Sequence, residues 1–283
     1  MGFFDKMTLK GNLKDLQRNA IKMTFPSHQK GYGAAFSKIG GVPNLPPDFE
    51  WPCFSIRRRG KDMTYPLAFI AQVNLEEVAG FDKENVLPKK GLLSFFYEVE
   101  SQCSGLDLSE KTCAKVFYFE DVSTLVQRPL PDNMPETGII PEQPVSFNPF
   151  MDVPCWEEYS LFNDKEYDRD FYTQVRSDLI GDSTSGDFKL LGYADVIQDA
   201  MQRDCQLVFS GFDLANGPVK LSDEQKTKMQ EGSKDWVLLF QAGTIAVDDF
   251  ELMFGDMGRI YFYIRKQDLV ECNFSNVQFM MQC

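Results

Sequence analysis

The chain has 283 residues and a formal net charge of −13, is 43% hydrophobic and 13% aromatic, and holds a single histidine. So acidic a chain repels phosphate backbones, which argues against a nucleic-acid partner. One histidine, with no H-E-x-x-H, C-x-x-C or G-x-x-x-x-G-K-[ST], excludes multi-histidine zinc chemistry and a phosphate loop.

The first element expected is a helix. Leu9, Leu13, Leu16, Ala20 and Met23 recur at steps of 4, 3, 4 and 3, one apolar stripe of an amphipathic helix. Its polar face carries Asp15 beside Lys14 and Arg18, so it is expected to dock on the body rather than on a membrane. The start lacks an apolar run long enough for a signal peptide, and no stretch approaches the roughly 18 apolar residues of a membrane span. Seven cysteines, an odd number, then read as reduced, mostly packed thiols in a cytoplasmic protein.

Residues 31–60 read as a loop pinned across the surface: the four prolines Pro43, Pro46, Pro47 and Pro52 stiffen it, with Leu45, Phe49 and Trp51 interleaved. The basic run Arg57, Arg58, Arg59 and Lys61 reads either as a phosphate contact or as a solvated loop. Strands are expected at 66–73, 92–99 and 115–120, where Phe and Tyr favour a pleated, half-buried surface. The stretch from Pro129 to Pro154 holds seven prolines and reads as extended coil or edge strand. A helix follows over 157–179, with Tyr167, Phe171, Val175 and Leu179 at steps of four. KLLGYADVIQ (189–198) precedes an expected strand at 205–211. Ser222 and Gln225 have the spacing of a capping box, so a helix starts there. Strands at 236–242, 259–265 and 275–282 finish the chain.

Two segments can be laid over each other. Each has an apolar strand ending in glutamine (Gln72, Gln241), an acidic connector, then a glycine (Gly91, Gly258) before an aromatic strand. The Gln-to-Gly separations are 19 and 17. This predicts one domain of two similar halves, about 31–127 and 186–283, joined by the Pro-rich and helical segment 128–185. The fold class expected is mainly β with α additions, an α+β chain.

Candidate chemistry is sparse. GDSTSG (181–186) imitates G-x-S-x-G but lacks the last glycine, and a triad would have to run through His28. Asp248, Asp249, Glu251 and Asp256 fall within nine residues, either a cation site or a solvated acidic connector. Glu76–Glu77, Glu157–Glu158 and DKEYDRD read as exposed faces. Gln72 and Gln241 end apolar runs, where an unpaired amide is costly to bury. They either bond the turn backbone or face a pocket between the halves. FGDMG (254–258) is either a hairpin corner or a ligand-facing loop around Asp256 and Gly258.

GGVPNLPPDFEWP, PLAFIAQVNL, LPKKGLLSFFY, LLGYADVIQ, FGDMGRIYFYIRKQDL and FSNVQFMMQC together resemble the YwqG-like family, bacterial proteins classed as a domain of unknown function. The resemblance runs from about residue 30 to the end. Members read HQ-x-x-GYP at the second turn, where this chain has Lys189 before Leu190-Leu191-Gly192-Tyr193-Ala194, and WGD before the last glycine, where Phe254 stands for the Trp. The resemblance implies roll-like antiparallel sheets, a bacterial cytoplasmic setting, no established activity, and a loose link to toxin–immunity systems.

The expected function is a non-catalytic cytosolic binding or interaction protein, with a protein partner or a small ligand. Its face is built from Trp51 and the turn Asp256–Gly258, with Gln72 and Gln241 as further binding residues. The alternative is a carboxylate-dependent hydrolase or small-molecule enzyme with a pocket between the halves. No catalytic residue, metal ligand or cofactor site is assigned.

Overall fold

The computed structural model describes residues 2–26, 35–58, 60–181 and 187–283. His28, Arg59 and residues 182–186 of GDSTSG lie outside them. The strands are, in order, β1 (Arg18–Thr24), β2 (Lys38–Ile39), β3 (Asn44–Leu45), β4 (Cys53–Arg58), β5 (Lys61–Pro66), β6 (Ala68–Asn74), β7 (Leu92–Tyr97), β8 (Ala114–Phe119) and β9 (Val126–Gln127). Next come β10 (Gln143–Pro144), β11 (Ser146–Asp152), β12 (Lys189–Leu191), β13 (Trp236–Ala242), β14 (Ile245–Val247), β15 (Phe250–Leu252), β16 (Arg259–Arg265) and β17 (Gln278–Gln282). The helices are α1 (Phe3–Asp15), α2 (Leu75–Val78), α3 (Trp156–Tyr159), α4 (Arg169–Ile180), α5 (Gln202–Phe209), α6 (Asp223–Ser233) and α7 (Lys266–Val270).

Sheet dominates, as the aromatic composition predicts, and the pairings are antiparallel. The six-stranded sheet runs β11-β1-β12-β13-β16-β17, and the five-stranded sheet runs β10-β2-β6-β7-β8. Pro144 and Pro149 lie in β10 and β11, the outermost strands, where proline's missing N–H costs no ladder bond. One hydrophobic cluster joins the sheets: the Phe95 ring on β7 lies 4.6 Å from Phe240 on β13 and 5.2 Å from Phe262 on β16. Both β6 and β13 carry a register shift against the next strand, between Phe69 and Ala71 and between Leu238 and Phe240. Each bulge falls two residues before the glutamine that closes the apolar run.

Three expected elements differ. The long N-terminal helix stops at Asp15; Ala20 and Met23 belong to β1, buried between β11 and β12. Their spacing fits a helical stripe, but Ile21 is buried as well, which requires a strand covered on both faces. Residues 205–211, expected as a strand, lie mostly in α5. Met201, Cys205 and Val208 recur at i, i+4 and i+7 and pack on Trp236, Tyr261 and Tyr263 of the large sheet. The helix expected over 157–179 is broken between α3 and α4. Asp168 starts the second piece by accepting the Phe171 N–H at 3.0 Å. The capping box of α6 forms as read, with the Gln225 N–H bonded to Ser222 Oγ and the Ser222 N–H to Gln225 Oε1.

Candidate functional site

Gln72 and Gln241 are fully buried and end in matched surroundings. Gln72 pairs across the ladder with Lys38, and Gln241 with Lys189. The Gln72 carbonyl accepts the Asn44 N–H at 2.9 Å, and its amide donates to Asn44 Oδ1 at 2.9 Å and to the Phe36 carbonyl at 2.7 Å. The Gln241 carbonyl accepts the Asp195 N–H at 2.9 Å, and its amide donates to Asp195 Oδ2 at 2.9 Å. Each amide is thus spent on the turn that follows its lysine, which removes the cost of burying it. Those turns read KIGGVPN and KLLGYAD. Gly40 and Gly41 sit at φ +60° and +73°, Leu191 and Gly192 at +60° and +71°. A Cβ on Gly192 would fall 2.6 Å from Ala20 Cβ, so only glycine fits there.

The lysines are buried too. Lys38 donates to Glu142 Oε2 at 2.6 Å and to the Val42 carbonyl at 2.7 Å. Lys189 lies 3.2 Å from Asp152 Oδ2 and 3.1 Å from Asp195 Oδ2. Burial works against its charge, but the two carboxylates hold the Lys189 ammonium above its ordinary value.

Trp51 is half-buried. Its indole donates to the Leu67 carbonyl at 2.9 Å, and its ring meets Phe96 edge-on at 5.5 Å. FGDMG is a tight corner. The Gly258 N–H bonds the Phe254 carbonyl at 2.8 Å, and a Cβ on Gly258 would stand 2.2 Å from Phe254 O and 2.3 Å from Gln282 O. Gln102 staples the corner, donating to Met253 O at 3.1 Å and accepting the Gly255 N–H at 2.6 Å. Glycine is therefore required by close approach. Asp256 is exposed, and among the described residues its carboxylate has no hydrogen bond or ion pair. Asp248 and Asp249 occupy the turn between β14 and β15. Among the described residues no group of three or more His, Cys, Asp and Glu is placed to hold a metal ion.

A sizeable concavity lies elsewhere. A cleft of about 850 Å³ separates β8 from the short turn Phe274–Asn276 and β17, with Pro52–Cys53 and Val208–Phe209 also on its wall. Phe117, Phe262 and Phe279 give it apolar surface; Lys111, Lys115, Asn276 and Gln278 give it polar groups. Glu110 is the one carboxylate among the described residues lining it. Burial raises the Glu110 carboxyl above its ordinary value, against backbone hydrogen bonds from Gly105 and Ser104, and among the described residues its buried Oε2 has no partner. A hydrogen bond to Cys103, then burial, keeps the Cys113 thiol well above its ordinary value. Lys111 is exposed and Lys115 half-buried, and among the described residues neither forms an ion pair.

Glu158, expected on an exposed face, is fully buried instead. The four-residue α3 turns it inward onto α5 and β16, where it accepts from Gln202 Nε2 and, at 3.5 Å, from the Tyr263 hydroxyl. Its Oε2 and Gln202 Oε1 have no partner. Burial pushes the Glu158 carboxyl up to about 7; Gln202 and Lys189 oppose this, and Asp152 and Asp195 reinforce it. A proton on Oε2 turns a buried acceptor into a donor, and Gln202, which already bonds Oε1, carries an acceptor. With no exposed surface, Glu158 is placed for packing rather than for ligand contact.

The sequence marks Gln72 and Gln241 but misses their partners, although lysine, glycine and an Asn or Asp recur at the same offsets in KIGGVPN and KLLGYAD. It gives no sign of Glu110, Lys111 or Lys115. Fold and cleft define a sheet-dominated α+β protein with a groove between its two principal sheets. The chain belongs to the family described as Domain of unknown function (DUF1963), whose model matches residues 37–283. The matched span begins one residue before Lys38 and takes in both buried lysine–glutamine pairs and the cleft. A comparison with curated proteins finds no match.

Proposed function

We propose that the chain is a non-catalytic binding protein and that its binding face is the cleft between β8 and β17. The observation that carries this is a large groove between the outermost strands of the two sheets, with convergent polar groups over an apolar wall. A hydrolase working by paired carboxylates needs two of them in reach of one substrate, and among the described residues no acid besides Glu110 lines the cleft. The test is a thermal-shift screen of amino acids, sugars, nucleotides and a peptide digest on wild type, Ser275→Trp and Asp256→Asn. A ligand at 100 times its Kd adds about 2.7 kcal/mol, roughly 4–5 °C for a chain of this size. A shift lost in Ser275→Trp and kept in Asp256→Asn places the ligand in the cleft. The opposite pattern moves the site to the FGDMG corner and removes this reading.

A cytoplasmic setting and kinship with the YwqG-like proteins belong to the same proposal. The seven free cysteines support a reducing compartment. A protein partner of the toxin–immunity kind is one ligand such a cleft would suit.

We also infer that residues about 31–127 and 186–283 are two copies of one unit. The equivalent bulges, the Lys38–Gln72 and Lys189–Gln241 pairs, and the left-handed residues at 40–41 and 191–192 support it. Under this reading Asn44→Asp places a carboxylate near Lys38 as Asp195 lies near Lys189, and costs less than about 1 kcal/mol in urea unfolding. A loss of several kcal/mol contradicts the equivalence.

A further inference from the structure

We propose that the cleft takes an extended peptide carrying an acidic side chain, which adds to the outer edge of β8 as a further strand of the five-stranded sheet. This rests on the cleft being the binding face. β8 ends its sheet, and among the described residues no backbone hydrogen bond outside helices and strands involves residues 114–119. Natural edge strands are short, charged, bulged or covered to prevent pairing. β8 reads AKVFYF; Lys115 is its one charge and the turn Phe274–Asn276 packs beside it, with the Tyr118 and Phe274 rings 5.3 Å apart, but it holds no proline and among the described residues no second strand pairs with it. At about 3.3 Å per residue that edge is roughly 20 Å long, enough for a hexapeptide. Main-chain bonds to such an edge supply affinity, and side-chain pockets supply specificity.

The charge of the peptide follows from the wall. The chain as a whole carries −13, yet Lys111 and Lys115 line this cleft without an ion pair among the described residues. Glu110 is the one carboxylate lining the cleft beside them among the described residues, and burial raises its carboxyl above its ordinary value. An acidic side chain on the incoming strand complements the two ammonium groups, and a basic one does not.

The test is panning of a random dodecapeptide phage library on the full chain, followed by amide hydrogen exchange with the enriched peptides made synthetically. Expected are acid-containing, strand-prone sequences that slow exchange at residues 114–119 at least tenfold. Binding falls at least tenfold in the Lys111→Glu/Lys115→Glu variant and with a backbone N-methylated copy of the peptide, a change that leaves the protein untouched. No enrichment over an uncoated surface, unchanged exchange at 114–119, or equal binding by the double variant overturns the proposal. If panning fails while the thermal-shift screen gives a small molecule blocked by Ser275→Trp, the peptide class falls and the cleft stands. If both fail, both readings fall.

Discussion

Replacing Glu158 by glutamine tests whether a neutral acid is built into the packing. In the folded chain the carboxyl is pushed from an ordinary 4.5 up to about 7, because it is wholly buried and Lys189 is already shared by Asp152 and Asp195. The shift of about 2.5 units at about 1.36 kcal/mol each corresponds to roughly 3 kcal/mol. Its sign follows from which state holds the proton. Below pH 4.5 both states are protonated and the contribution is complete. Between 4.5 and about 7 the unfolded chain releases the proton while the folded chain keeps it, so stability falls as pH rises, then levels off. The groups facing Glu158 are Gln202 on α5, Tyr263 on β16, Lys189 on β12, Asp152 on β11, and Asp195. Glu158→Gln is neutral at every pH and replaces the carboxyl with an amide of nearly the same shape. Urea unfolding followed by tryptophan fluorescence at intervals from pH 4.5 to 8 gives the comparison, since subtracting the variant cancels the other titrating groups. The variant should match wild type near pH 4.5 and exceed it by about 3 kcal/mol above pH 7, roughly 5 °C in Tm. A difference that does not change with pH, or a variant less stable than wild type at pH 8, refutes the neutral-acid assignment.

Other substitutions separate structural from ligand roles. Gly258→Ala should cost about 2–4 kcal/mol in thermal melts, because its Cβ would stand 2.2 Å from Phe254 O, whereas Asp256→Asn should stay within about 0.5 kcal/mol. Equal effects would give Asp256 a structural role that the exposed carboxylate does not suggest. Gln241→Leu removes the acceptor of the half-buried Asp195 N–H and the donor to its carboxylate, so urea midpoints should report a loss of about 1–3 kcal/mol, and Gln72→Leu should lose a similar amount through Asn44. Lys189→Met leaves Asp152 and Asp195 without their shared buried cation and should cost about 3–5 kcal/mol at neutral pH. A Lys189→Met protein as stable as wild type would mean that those carboxylates find other partners.

What the sequence discloses depends on whether a feature is local or assembled. Strands β6, β7, β13 and β16 were legible because each is a continuous apolar and aromatic run, and the α6 start was legible because a capping box closes over three residues. Gln72 and Gln241 stood out because an amide at the end of such a run demands a partner. Their partners did not stand out, because Asn44 is 28 residues from Gln72 and Asp195 is 46 from Gln241. Glu158 was misread because a carboxylate in an acidic stretch is ordinarily solvated. Only the packing of α5 and β16 over it makes it buried. The cleft shows the limit most clearly. AKVFYF of β8 and RIYFYIR of β16 each carry three consecutive aromatic residues and predict the same element. β16 is paired on both sides, and β8 on one. Being an edge is a property of strand order, which arises from pairings far apart in the chain; prolines mark it in β10 and β11, but nothing of that kind marks it in β8. A binding face made from an edge is therefore absent from any motif, and only the sheet order brings Lys111, Lys115 and the open main chain of β8 into one groove.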